Sequence, residues 1–126
     1  MFSADSTAAS PGDARRLATA YLQDHCPRAD ADAVQVVLSE LVTNAARHTP
    51  DGTWTMTLRY ADGLLTLRVE DSSPDLPRPR QGDTLDGQGG LGLSLVDKLS
   101  DHVTMAPMPV GKAITARWKV DEAVAH

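Results

Sequence analysis

The stretch that most limits how this chain can fold is residues 31–48, "ADAVQVVLSELVTNAARH", because it carries two stripes at helical spacing. Val34, Val37, Leu38, Leu41, Val42 and Ala45 recur at the three- and four-residue intervals that gather apolar groups on one face of an α-helix. Glu40, Asn44, Arg47 and His48 fall on a second stripe, rotated roughly 100° from the first. Such a helix must lay its apolar face on another layer, and its polar stripe then runs along the edge of that contact.

The rest of the chain supplies the layer. Residues 1–10, "MFSADSTAAS", are small and polar and are expected to be loose. From Pro11, with Asp13 in the first turn, the positions Ala14, Leu17, Ala18, Tyr21 and Leu22 predict an amphipathic helix that stops before Pro27. Asp30 or Asp32 can cap the next helix. "TPDG" ends it, and in "TWTMTLRY" the apolar Trp54, Met56, Leu58 and Tyr60 alternate with Thr and Arg, as in a half-buried strand. A turn at "ADG" leads to "LLTLRVED", a second strand with Leu65, Leu67 and Val69 on one face and Asp71 at its end. Residues 72–90 lack periodicity and are rich in Pro and Gly, which predicts a long loop, and "LGLSLVDKLS" follows as a short helix opening on glycines. "HVTMAPM" and "KAITARWKV" read as a final strand pair. The expected class is α+β: a two-layer sandwich whose antiparallel or mixed sheet is covered on one face by helices.

Composition narrows the partners. The chain of 126 residues, 41% apolar, suits one domain with its own core. A formal charge of -5 argues against DNA or RNA, whose binding rests on clustered Lys and Arg. The lone Cys26 forms no internal disulfide, and no signal segment or run of 18 apolar residues is seen, so no membrane is expected and the location expected is cytoplasmic. The four histidines show no metal-ligand spacing.

Three segments in order, "ELVTNAARH", "VEDSSPD" and "GQGGLGLSLV", resemble the N box and the two glycine boxes of the GHKL ATPases, the Bergerat ATP-binding fold shared by gyrase and histidine kinases. The resemblance covers nearly the whole chain and implies one ATP-binding domain over residues 11–122. The wording "SELVTNAARH", the short length and the lack of a phosphoacceptor domain are similar to the bacterial branch of anti-sigma-factor serine/threonine kinases. The implied cofactors are ATP and Mg²⁺. The implied partners are a small antagonist protein of the anti-anti-sigma kind as substrate and a sigma factor in an alternate complex, with homodimerisation of the kinase itself.

The residues carry matching chemistry. A carboxylate one helical turn before an amide lets Asn44 offer a neutral oxygen to Mg²⁺ while Glu40 accepts a proton. By resemblance Asn44 is the magnesium ligand and Glu40 the general base. Arg47 and His48, one turn on, can reach phosphate or ribose oxygens, although a histidine at a helix end is more often a cap or packing residue. Asp71 can accept from the exocyclic amine of adenine, whereas guanine presents a carbonyl there; as a turn former before "SSP" it needs no ligand. Glycines 87, 89, 90 and 92 let backbone approach an anion at the start of a helix. The resemblance accordingly sets Ser73, Gly89, Gly90, Leu91 and Gly92 along the nucleotide with Asn44, Arg47, His48 and Asp71. "GKA" at 111–113 is not a Walker loop, since no Ser or Thr follows the lysine.

Two departures bear on function. Ser73 and Asp75 stand where the first box usually has glycines, and Ala113 stands where the branch tends to have a threonine bonded to the adenine-binding aspartate. Thr115 would replace that hydroxyl only if the strand were shifted. A nucleotide-binding or nucleotide-free module that holds a transcription regulator without phosphoryl transfer is the alternative these departures favour, while the retained Glu40 and Asn44 speak for a kinase.

Overall fold

The computed structural model describes residues 1–48, 53–72, 93–109 and 111–120. In chain order the elements are β1 (Phe2–Asp5), α1 (Pro11–His25), α2 (Ala31–His48), β2 (Trp54–Ala61), β3 (Leu64–Asp71), α3 (Leu93–Leu99), β4 (His102–Pro107) and β5 (Lys112–Lys119). The strands form one five-stranded sheet in the order β1-β2-β3-β5-β4, with every pairing antiparallel. This is the α+β sandwich the residue pattern predicts.

Local chemistry sets the helix ends. Ser10 accepts from the Asp13 amide at 3.1 Å, and Asp13 accepts from the Ser10 amide at 3.0 Å, a capping box reinforced by Pro11 in the first turn. For α2 the cap is Asp30, whose Oδ1 accepts from the Ala33 amide at 3.1 Å; Asp32 lies in the first turn instead. The apolar stripe of α2 is fully used, since Val34, Val37, Leu38, Leu41, Val42 and Ala45 are all buried. Leu17 of α1 departs from expectation. It lies at the margin of its apolar stripe and remains 47% exposed.

The inner face of the sheet is built in rows across three strands. Tyr60, Leu65 and Trp118 form one row, Leu58, Leu67 and Ala116 the next, and Met56, Val69 and Ile114 the third. α2 packs over β2 and β3, and α1 and α3 pack on α2. The two-residue turn between β2 and β3 has positive φ at Asp62 (55°) and Gly63 (77°), which suits an Asp-Gly hairpin. Two polar tips are satisfied at the core margin. The Trp118 indole N–H donates to the Leu99 carbonyl at 2.7 Å, and the Tyr60 amide donates to the Tyr21 hydroxyl at 3.0 Å.

The expectation of a loose N-terminus does not hold for its first residues. Phe2–Asp5 pair with Leu58–Thr55 as an edge strand, Ala4 is buried, and the Trp54 amide donates to Ser6 Oγ at 3.1 Å. Four residues of mixed polarity give no periodic signal by themselves; the free edge of β2 supplies the partner that makes them a strand.

Candidate functional site

The fourth row across the sheet is Trp54, Asp71 and Lys112, and it is where apolar packing gives way to charge. Trp54 opens β2, Asp71 closes β3 and Lys112 opens β5, so all three stand at one end of the sheet on the face that bears the helices. The last turn of α2 is tied to the same end, because residues 49–53 alone connect His48 to Trp54. The end of the Glu40/Asn44 stripe and the end of β3 are thus brought together by topology.

Within that frame Asn44 is buried, Glu40 is half-buried and Arg47 is exposed. The gradient follows from the rotation of the polar stripe: Asn44 lies nearest the core-facing residues Leu41 and Ala45, and Arg47 is turned toward solvent. Asp71 is buried as well, and its Oδ2 lies 2.7 Å from the Lys112 ammonium, with each side chain 5% exposed. Beside them Thr53 Oγ1 and Ser72 Oγ share a hydrogen bond of 2.9 Å. His48 ends α2, while Ser73, Gly89, Gly90, Leu91 and Gly92, and most of the loop expected over 72–90, lie outside the described residues.

Lys112 is the residue that sequence reasoning missed. The expected neighbours of Asp71 were Ala113, which lacks a hydroxyl, or a shifted Thr115. The register corrects this: Asp71 is opposite Lys112, while Ala113 is opposite Glu70 and Thr115 is opposite Arg68. Ala113 and Thr115 therefore lie on the other face of the sheet, and no hydroxyl from β5 replaces the missing threonine at Asp71. A signal was present in "VGKA". Gly111 has φ of 95°, and a Cβ there would sit 1.8 Å from the Asp71 carbonyl oxygen. A glycine forced against the end of β3 marks the next residue as the partner of its last one.

Asn44 and Glu40 are the residues of this stripe that could supply oxygen donors to a magnesium ion held through phosphates. Among the described residues no group of three or more His, Cys, Asp or Glu forms a metal cage. Mg²⁺ bound with a nucleotide keeps several waters and uses phosphate oxygens, so it asks the protein for one or two oxygen donors. The Asn44 amide oxygen and the Glu40 carboxylate, one turn apart on α2, are donors of that kind. No described helix is long and apolar enough to cross a membrane.

Comparison with known proteins gives the family. A family described as "Histidine kinase-like ATPase domain" matches residues 2–118. The chain is also similar to Sensor protein BasS of Salmonella typhimurium, strain LT2, at 33% identity over 82 residues, which cover 58% of this chain and 23% of that protein. The chain therefore corresponds to less than a quarter of that relative's length.

Proposed function

Because the chain belongs to the histidine kinase-like ATPase domain family, we propose that it is an Mg-ATP-dependent regulatory kinase that phosphorylates a serine or threonine on a small antagonist protein. In the alternate complex it sequesters a sigma factor. The single observation that carries this is the placement of Glu40 and Asn44, half-buried and buried, on the stripe of α2 that runs to the Asp71 end of the sheet. A domain that only held a partner would have no use for a carboxylate and an amide one turn apart along the core margin.

Asn44 would hold Mg²⁺, which supplies charge neutralisation for the phosphates when bound. Glu40 takes the proton of the substrate hydroxyl; that oxygen bonds to the γ-phosphorus as the bond from the γ-phosphorus to the β–γ bridging oxygen breaks, and ADP leaves with that electron pair. Arg47, exposed at the end of the stripe, would take a phosphate oxygen, and Asp71 the base. Phosphorylation then adds charge at the partner's interface and changes which complex forms.

The test is a calorimetric titration with ATP in the presence and absence of Mg²⁺, followed by phosphorylation of a captured partner. Magnesium-dependent binding and a phosphorylated partner that disappears in Glu40→Ala are expected. Phosphorylation unaffected by Glu40→Ala overturns the role given to Glu40. A second reading, a module that holds a regulator without phosphoryl transfer, is favoured by one observation, the Lys112 ammonium already seated on the carboxylate expected to read the base; absence of ATP binding would select it.

A further inference from the structure

The Lys112 ammonium has donor capacity beyond its ion pair. It carries three protons, and its partner among the described residues is Asp71. With its side chain 5% exposed, the remaining protons have little bulk water to turn to, and a buried donor without an acceptor is costly. Asp71 is the reverse case. An ionised carboxylate offers about four acceptor sites and no donor, and it serves a further interaction besides Lys112. The backbone fixes the order of the two groups at the end of the sheet, since they are paired across β3 and β5 and Gly111 is packed against the Asp71 carbonyl.

On the premise that this end of the sheet seats a nucleotide with Asp71 on the exocyclic amine of its base, we propose that Lys112 is a specificity-determining residue that donates to ring N1 of adenine. An acceptor and a donor held 2.7 Å apart make an ordered pair of contacts. Adenine presents the matching order, an amine donor at position 6 beside an acceptor at N1. Guanine presents the opposite order, a carbonyl at position 6 beside an N1–H donor. In the same pose guanine sets its carbonyl against the carboxylate and its N1–H against the ammonium, so neither contact forms. A lone carboxylate discriminates less, because a small shift of the base lets guanine N1–H donate to it; the ammonium occupies that place. A base that leaves the buried polar groups of a site unpaired is rejected far more strongly than one that fits less well by shape.

The full chain is titrated by calorimetry with MgATP and with the magnesium complex of its 1-deaza analogue, in which a C–H replaces ring N1. The readout is binding, and no phosphoryl transfer is needed. The native chain is expected to bind ATP at least about tenfold more tightly than the analogue, the loss of one hydrogen bond from a charged donor. In Lys112→Met, which keeps the length of the apolar stem, that preference is expected to fall below about threefold. This coupling between one side chain and one ring atom is a readout that a purely structural lysine would not move. Circular dichroism establishes whether Lys112→Met is folded; if it is not, the native ratio of the two constants decides. A native preference under about tenfold, or one that stays above about threefold in folded Lys112→Met, overturns the inference and leaves the kinase proposal standing. Binding of neither ATP nor the analogue overturns both.

Discussion

Asp71 and Lys112 meet as the last residue of one strand and the first of its neighbour, and their 2.7 Å contact lies buried on the helix-bearing face where the apolar rows of the sheet end. A buried ion pair is weak support for a fold in itself, since the desolvation of two charges offsets their attraction. Its consequence is a dependence of each partner on the other. Lys112→Met is expected to destabilise the chain by about 3–5 kcal/mol, because it leaves a buried carboxylate without its counter-ion. The double substitution Asp71→Leu with Lys112→Met should recover most of that loss. Urea unfolding of the single and double variants measures both; a single variant within about 0.5 kcal/mol of the native chain refutes the dependence.

Gly111 holds this pair in register. Its φ of 95° lies where side chains are disfavoured, and an added Cβ would stand 1.8 Å from the Asp71 carbonyl oxygen and 2.8 Å from Ser72 Cα, both backbone atoms that cannot rotate away. Gly111→Ala must therefore move the β3 and β5 ends apart, and a loss of at least about 2 kcal/mol is expected from thermal or urea unfolding. At Gly63, where φ is 77° and the nearest atom to an added Cβ is 3.6 Å away, the same substitution meets the φ penalty without the clash and should cost less. Equal losses at the two glycines would show that the close approach at Gly111 is not maintained in solution.

How much of this could be read from the chain depends on the range of the interaction that makes it. The α2 stripe and the β2 and β3 faces rest on local periodicity, and the buried set from Val34 to Ala45 matches the pattern of the letters. The Glu40/Asn44 spacing is also local. β1 was hidden because a four-residue edge strand takes its conformation from β2 rather than from its own sequence. Lys112 was hidden for a sharper reason: strands alternate faces every residue, so assigning the partner of Asp71 one position too far along β5 moves it to the opposite side of the sheet. The glycines around residue 90 had a clear signal, but their placement lies outside the described residues.

Acid stability carries a signature of the α1 cap. The Ser10 backbone amide, then the Ser10 hydroxyl interaction, hold the Asp13 carboxyl below its ordinary value of 3.8, with a smaller contribution from Arg16. A carboxylate whose value is lowered on folding contributes stability that is fully present above 3.8 and is lost as the pH falls through the lowered folded value. Asp13→Ala is therefore expected to lower the melting temperature at neutral pH, and the gap to the native chain should narrow once the pH drops below 3.8. A gap that stays constant down to full protonation would assign the effect to helix propensity rather than to the charged cap.

Glu40 and Asn44 share a stripe but are assigned different steps, and their variants should separate accordingly. Glu40→Gln keeps the size and hydrogen-bonding character of a half-buried side chain, so folding and ATP affinity are expected to stay within about threefold of native while phosphoryl transfer falls by at least about a hundredfold through loss of the proton acceptor. Asn44 is buried, and Asn44→Ala removes the amide oxygen assigned to Mg²⁺. Its titration should then show similar ATP binding with and without Mg²⁺, whereas tighter binding with the ion is expected of the native chain. If Glu40→Gln abolishes binding instead of transfer, the carboxylate is part of the seat for the nucleotide and the hydroxyl proton must go elsewhere. If Asn44→Ala retains the full magnesium effect, the ion is held by donors beyond this stripe, and the helical spacing of the two residues has a structural cause alone.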